Sequence, residues 1–499
     1  MIPSVLTERA LSELGRTAGG PDTLALLQRD QHLRRLLLLR AILDAVDAAD
    51  PEVCPGPLRD RLREDWALLE EADRELVADV PAHGEGRGVR LSPARTVLLY
   101  PLVGPWGRSC LRALGAVPAS HAARRRQAAT VRRGLAHFST LAAAAAVRAG
   151  VPFSVQLTTT EGALHLPSLG ALRTAEPGEE AVGVVHRDGR TVLRRRGCAD
   201  VVVHDPIGGA GSGVSVATHS RADSWAPAYS LPSLLPGSGS VPLDDLDPYR
   251  MVHGDLRSQG LSGPATLDGA GRERWLRSWS GVLAMLRLGG EHRVTEVVAL
   301  LRCLVPLVAP AGAEGQGRAA GNCSGTRREA FGAVLSSTPP TPATFAATLV
   351  HEVQHAKLAA VSDMVVLHRE GPQERYFAPW RPDSRPYDGL LQGVYSHVAL
   401  ADFFQRCALT AAARPGQREA AWREHARYRE QVRVTLPVIA EADSLTSCGR
   451  RLVDQLAGEC ERMGENPPPR GARIRAEAAV NTARALWLRS RAPQEGASS

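Results

Sequence analysis

From Thr341 to Glu370 the chain is unusually restricted in what it can become. Thr341 is a natural N-cap with Pro342 at the first helical position, and no further glycine or proline appears until Gly371-Pro372. The stretch therefore predicts one long helix. His351 and His355 fall one turn apart on a single face with Glu352 beside them, the H-E-x-x-H pattern, at the spacing where two imidazoles grip one divalent ion. Phe345, Leu349, Val350, Val353 and Leu358 make the surrounding helix apolar. A histidine pair without a partner would be costly to bury there, so the segment points to a metal site.

Two histidines need a further protein ligand. Asp363 lies eight residues past His355, roughly 12 Å along a helix axis, and is out of reach of the same ion. Leu358 and Val361 stand where a metzincin would have its glycine and third histidine. Glu374 is near the distance of a thermolysin-type glutamate, but the prolines around it predict a loop. His397 is flanked at helical spacing by Gly393, Val394, Leu400, Ala401 and Phe404, so it faces inward and its ring wants a partner. One reading of His397 is a core histidine bonded to a carbonyl. The other completes, with His351 and His355, a three-nitrogen set with open positions, suited to Zn with a water or to Fe(II) with room for a chelating cosubstrate and oxygen.

Composition narrows the class. Aromatics are only 4% of the 499 residues, leaving Leu, Val and Ala to do most of the packing. The net charge of +7 is dispersed, and Lys357 is the single lysine among 60 basic residues, a bias that reads as genomic rather than as a phosphate-binding design. The runs Arg124-Arg125-Arg126 and Arg194-Arg195-Arg196 lack interleaved aromatics, which argues against a nucleic-acid partner. Eight scattered cysteines form no C-x-x-C pair, and the Leu36 to Leu39 run is too short to span a bilayer. These features predict a reduced, cytoplasmic protein with no membrane segment.

In chain order, residues 1–150 read as an N-terminal helical region, closing with the alanine run Ala142 to Ala146, which suits close packing against a neighbouring helix. Residues 151–245 read as β-rich, with Val182 to Arg187 and Arg190 to Arg194 joined through Asp188-Gly189 as a two-residue hairpin. Gly208 to Gly213 reads as a turn, since no phosphate-loop Gly-Lys-Ser/Thr is present. Residues 246–463 read as a helical metal-binding catalytic region, with helices from about Gly271 to Val308, Gly389 to Ala413 and Arg418 to Arg433 and a Gly-rich break from Pro310 to Gly325. Residues 464–499 form a tail with one helix after Pro467-Pro-Pro469. The expected class is α+β, predominantly α-helical, with a small antiparallel β insertion near 151–245.

Several pieces then take on a common look: Asn322-Cys-Ser-Gly-Thr-Arg-Arg-Glu-Ala-Phe-Gly332, Leu349-Val-His-Glu-Val-Gln-His-Ala-Lys-Leu358, Tyr376-Phe-Ala-Pro-Trp-Arg381 with Arg385-Pro386, and Leu391-Gln-Gly-Val-Tyr-Ser-His397. Together they resemble the HExxH-domain family of peptide-modifying proteins from gene clusters for ribosomally made, post-translationally modified (RiPP) peptides. The likeness covers about residues 320 to 410; upstream it extends only to the Leu-rich opening and Asp244-Asp-Leu-Asp-Pro-Tyr-Arg250. No radical SAM cysteine triplet is present, so the chain would be a stand-alone member. The resemblance implies a dioxygenase that β-hydroxylates a residue of a precursor peptide, dependent on Fe(II), 2-oxoglutarate and O2, with other maturation enzymes of the same cluster as possible partners. It makes Glu352 an orienting group. In a zinc metallopeptidase, the alternative, Glu352 is the general base. The cosubstrate's far carboxylate needs a cation, and Arg385, then Arg381, in a Pro-bracketed loop are the expected anchors, with Arg327 and Arg328 behind them.

Overall fold

The computed structural model describes residues 5–74, 91–204, 215–251, 261–310, 323–373, 375–410 and 414–491. Among the described residues helix accounts for 56% and strand for 14%, a helix-dominated α+β fold. The helices are α1 Glu8–Gly15, α2 Pro21–Ala48, α3 Gly56–Arg74, α4 Pro93–Leu98, α5 Val103–Leu114 and α6 His121–Ala149. The strands β1 Phe153–Thr158, β2 Ala163–Leu166, β3 Gly170–Arg173, β4 Ala181–Arg187, β5 Arg190–Arg195, β6 Val201–His204, β7 Ser215–Val216, β8 Trp225–Pro227, β9 Tyr229–Leu231 and β10 Val241–Leu243 follow. Then come α7 Gly269–Trp279, α8 Val282–Leu288, α9 Glu291–Leu300, β11 Cys303–Leu307, β12 Ser324–Gly325 and β13 Ala333–Ser337. The chain closes with α10 Pro342–Met364, α11 Tyr387–Leu409, α12 Pro415–Ala440, α13 Ser447–Gly464 and α14 Arg470–Arg491. Among the described residues no helix is long and apolar enough to cross a membrane.

Two compact units are assembled from stretches far apart in sequence. Unit 1 comprises Met1–Asp30, Arg277–Leu301 and Pro339–Ser499; unit 2 comprises Gln31–Leu276 and Arg302–Thr338. The segments 1–150, 151–245, 246–463 and 464–499 run consecutively, whereas the units group α8 and α9 with α10 to α14, and β11 and β13 with the strands of 229–243.

Unit 2 holds the sheets. A four-stranded antiparallel sheet has the order β1-β4-β5-β6, a three-stranded one β2-β3-β8, and a six-stranded one β12-β13-β11-β10-β9-β7. The hairpin read from Asp188-Gly189 is present, with φ of 53° and 69° at those two residues, the paired left-handed conformation of a type I′ turn. The alanine run of α6 is wholly buried and packs on two sides. Ala142 and Ala145 join the helical core with Trp106 and Phe138, while Ala143 and Ala144 meet Leu157, Leu172 and Val184 of the strands.

The β structure reaches further than residue 245 and is not purely antiparallel. β11 pairs parallel with β10 and β13, so the helical run expected to Val308 ends at Leu300. Every residue from Cys303 to Leu307 is buried. A strand covered on both faces is a continuous apolar run without period two, which is why it reads like the helix before it.

Unit 1 is built from helices. Thr341 caps α10, its Oγ1 accepting from Thr344 N at 3.1 Å. The helix stops at Met364 rather than at Gly371, with Val365 extended at φ −140° and ψ 148° and His368 drawn into a bridge with Leu445. Gly208 to Gly213, residues 311–322 of the Gly-rich break, and Glu374 lie outside the described residues.

Candidate metal centre

α10 and α11 pack against one another and bring three imidazoles together. His351 Nε2 and His355 Nε2 stand 3.1 Å apart, with rings nearly perpendicular at 87°. Two nitrogens each about 2.1 Å from one ion, subtending about 90–110° there, lie about 3.0–3.4 Å apart. The pair therefore fits a shared ion. His355 Nδ1 lies 3.2 Å from Gln392 Oε1, a contact in which Nδ1–H donates and the Nε2 lone pair is left free.

His397 on α11 is the third ring, its centroid 5.7 Å from that of His351. Among the described residues its buried Nδ1 has no hydrogen-bond partner, and neither has His351 Nδ1. The carbonyl-bonded core histidine of this region is a different one: His425 on α12 lies with Nδ1 2.9 Å from Ala401 O. Trp380 stands edge-on to His397 at 4.6 Å and 76°, Tyr428 of α12 lies at 5.0 Å, and Phe404 stacks on Tyr428 at 5.9 Å. A chain poor in aromatics thus places two of them, Trp380 and Tyr428, against one imidazole, with Phe404 behind Tyr428. Among the described residues no group of three or more His, Cys, Asp or Glu side chains is arranged so as to hold a metal ion. The ring of His397 stands further from His351 than that of His355 does, 5.7 Å against 4.6 Å between centroids.

Burial holds all three imidazoles neutral. His351 is pushed well below the ordinary histidine range by burial and then by His355, His397 and Arg427. Burial, with the charge of Arg385, lowers His355 against the opposing bond to Gln392. His397 is pushed down to about 3 by burial, His355 and Arg427. Neutral imidazole is the form that ligates a metal. His351 nonetheless keeps 26% of its side chain exposed, so the trio has an open side.

Glu352 is 1% exposed, its Oε1 4.0 Å from His351 Nε2. The loop of Tyr376 to Pro386 is pinned by a bridge in which Tyr376 N donates to Arg385 O at 3.0 Å and Arg385 N to Tyr376 O at 2.9 Å. α14 holds it from outside, with Phe377 5.4 Å from Trp487 and Trp487 Nε1 donating to Ser384 Oγ at 3.0 Å. Within the loop Asp383 pairs with Arg381 at 3.0 Å and with Arg385 at 3.6 Å, so the carboxylate expected to neutralise Arg381 also reaches Arg385. Asp383 is itself held below the usual carboxylate range by Arg381 and Arg385 in spite of its partial burial, which acts the other way. Arg327 belongs to unit 2, where it pairs with Glu329 at 2.5 Å.

Arg427 of α12 was not among the sequence candidates. Its charge bears on both His351 and His397, and it donates to Glu424 Oε2 at 2.5 Å and Tyr428 Oη at 2.6 Å. Nothing in sequence separates it from Arg423, Arg429 or Arg433 on the same helix.

A second polar cluster sits in unit 2 around the Asp244 to Arg250 loop. A small cleft of about 70 Å³ is lined by Arg133, His137, Thr140, His165 and Tyr249 among others. Asp247 is pushed up to about 8 by burial and by Asp244, and His165 down to about 4 by burial. His351, His355, His397, Glu352, Arg381 and Arg385 are not among the cleft's lining residues. No protein-family model matches the chain, and no curated protein matches it.

Proposed function

We propose that this protein is a non-haem iron dioxygenase that uses Fe(II), 2-oxoglutarate and O2 to β-hydroxylate a residue of a ribosomally synthesised precursor peptide in the cytoplasm. The observation that carries the reading is the 3.1 Å approach of His351 Nε2 to His355 Nε2, with the neutral ring of His397 beside them. A three-imidazole face leaves positions for a chelating cosubstrate and for O2, which four-ligand structural sites do not. When bound, the iron with its cosubstrate supplies the oxidising power to replace a C–H by a C–OH.

The chain's own groups do the rest. Gln392 orients His355 through the contact to Nδ1. Trp380 and Tyr428 keep water from His397. Arg385, with Arg381 and Arg427 as neighbours in kind, offers the fixed cation that a distal carboxylate needs. The exposed edge of His351 is where a peptide side chain would enter. Other maturation enzymes of the same gene cluster remain candidate partners on the resemblance alone.

One observation favours a second reading, a zinc metallopeptidase. Glu352 Oε1 lies 4.0 Å from His351 Nε2, near enough to serve a metal-bound water as general base. Mass spectrometry of a candidate precursor peptide incubated aerobically with Fe(II) and 2-oxoglutarate separates the two. Gain of one oxygen atom with succinate release supports the hydroxylase; cleavage with Zn, and no oxygen gain, overturns it.

A further inference from the structure

Three buried donors from three helices end on the carbonyls of one short N-terminal segment. Lys357 Nζ of α10 donates to Thr17 O and Ala18 O, each at 3.1 Å. Arg293 of α9 donates to Thr17 O at 2.6 Å and to Thr17 Oγ1 at 3.2 Å. Tyr395 of α11 donates its hydroxyl to Leu14 O at 2.7 Å. The three donors are at most 1% exposed.

Leu14 O belongs to the last turn of α1, whose C=O groups lack i+4 helical partners, and Thr17 and Ala18 follow just past the helix end, where the chain leaves the helix. Thr17 holds φ at 54°, a left-handed conformation that a β-branched residue adopts only when its surroundings impose it. The segment is itself anchored. Leu11 and Leu14 are buried, and a Cβ on Gly15 would stand 2.6 Å from Gln455 Cβ of α13.

The positions of the donors matter. Lys357 comes two residues after His355, and Tyr395 two residues before His397. The network extends along the same helices. Glu296 accepts from Lys357 at 2.6 Å and from Gln354 at 3.2 Å, and Arg293 reaches Asp402 of α11 at 3.3 Å. Both histidine-bearing helices are thus tied to one backbone turn.

Lys357 is also the one place where a chain with 60 basic residues uses lysine. Its ammonium has three donors and meets three acceptors, Thr17 O, Ala18 O and Glu296 Oε1. A guanidinium is larger, planar and carries five donors in a fixed fork, so it does not fit that pyramid of acceptors.

We propose that the segment Glu8–Ala18 is a positioning element of the histidine site: through Lys357 and Tyr395 its carbonyls set the spacing between the helix of His351 and His355 and the helix of His397. The inference rests on the reading of these three histidines as ligands of one ion. Lys357 and Tyr395 are positioning residues and touch no reactant.

The test is a titration of the full-length protein with Co(II), followed by visible absorption, for wild type, His397→Ala, Tyr395→Phe, Lys357→Arg and Lys357→Met. Tyr395→Phe removes a single hydroxyl and retains the fold even if Lys357→Met does not. Tyr395→Phe and Lys357→Arg are expected to weaken Co(II) binding by about 10-fold or more, the loss typical of groups that orient ligands, and to shift the spectrum toward that of His397→Ala. Wild-type affinity and spectrum in both variants, with only a lower melting temperature, overturns the proposal and leaves the segment a plain scaffold. If the wild type binds no Co(II), or His397→Ala gives the wild-type spectrum, it is the histidine reading that fails, and this inference falls with it.

Discussion

Trp380 lies so close on the backbone of Gly393 that a Cβ built on the glycine would stand 2.2 Å from Trp380 Cζ2. The contact joins the Pro-rich loop to α11 one turn before His397, and it is what lets the indole stand edge-on to that imidazole. Glycine inside a helix normally costs about 1 kcal/mol relative to alanine. Here the sign reverses. Gly393→Ala is expected to lower the melting temperature, with an overpacking cost of about 1–3 kcal/mol, and to weaken metal retention by moving Trp380 off His397. A rise in melting temperature would mean that the indole is free to step aside.

Asp383 couples the two loop arginines, lying nearer Arg381 than Arg385. Arg385→Ala is expected to raise the 2-oxoglutarate requirement by about one order of magnitude, the lower part of the ~1.5–3 kcal/mol of a charged hydrogen bond because the group is partly exposed. Asp383→Asn removes the competing carboxylate and is expected to lower that requirement several-fold. Both are read by calorimetric titration of 2-oxoglutarate into the anaerobic iron form. An unchanged affinity in Arg385→Ala, with a loss in Arg427→Ala, would move the anchor to α12.

Glu352 separates the two chemistries. Glu352→Gln keeps the size and hydrogen-bonding reach of the side chain, so a hydroxylase retains metal and measurable turnover. A peptidase loses its general base, and the rate falls by ~10²–10⁴. Turnover abolished while Fe(II) and 2-oxoglutarate still bind would give Glu352 a proton-transfer role in the oxygenase.

Acid sensitivity follows from histidines outside the trio. Burial pushes His165, His292 and His425 each down to about 4. Their folded-state values lie below the unfolded value of about 6.5, so the unfolded chain binds more protons and the folded form loses stability as pH falls from 6.5 toward 4. Above about pH 7.5, where the unfolded imidazoles too are largely neutral, these residues contribute little pH dependence. At pH 5 each is expected to cost on the order of 2 kcal/mol. Urea unfolding of the metal-free protein at pH 7.5 and pH 5.0 checks this, and His425→Gln is expected to flatten the slope. Equal stability at both pH values would contradict the burial argument.

The helices and turns around the candidate site can be read from local signals, because these elements carry them. Thr341-Pro342 starts α10, the i, i+4 spacing sets His351 beside His355, and the small and apolar neighbours of His397 turn it inward. Asp188-Gly189 specifies its hairpin in the same way. What escapes is information held between distant segments. Cys303 to Leu307 is a strand only because β10 and β13 flank it. Arg427 comes near His351 and His397 through the packing of α12 on α11, and it is one of several arginines on that helix. The carbonyls of Leu14, Thr17 and Ala18 are backbone atoms, which no residue identity advertises.

The proposed function requires His351, His355 and His397 to hold Fe(II) with open positions for 2-oxoglutarate. Anaerobic titration of 2-oxoglutarate into the Fe(II)-loaded protein, followed by visible absorption, tests it most directly. A metal-to-ligand charge-transfer band that saturates with one 2-oxoglutarate per iron, and is lost in His351→Ala, His355→Ala and His397→Ala but kept in Asp363→Ala, is the predicted result. Absence of the band in an iron-loaded wild type, or a full band in His397→Ala, would contradict it.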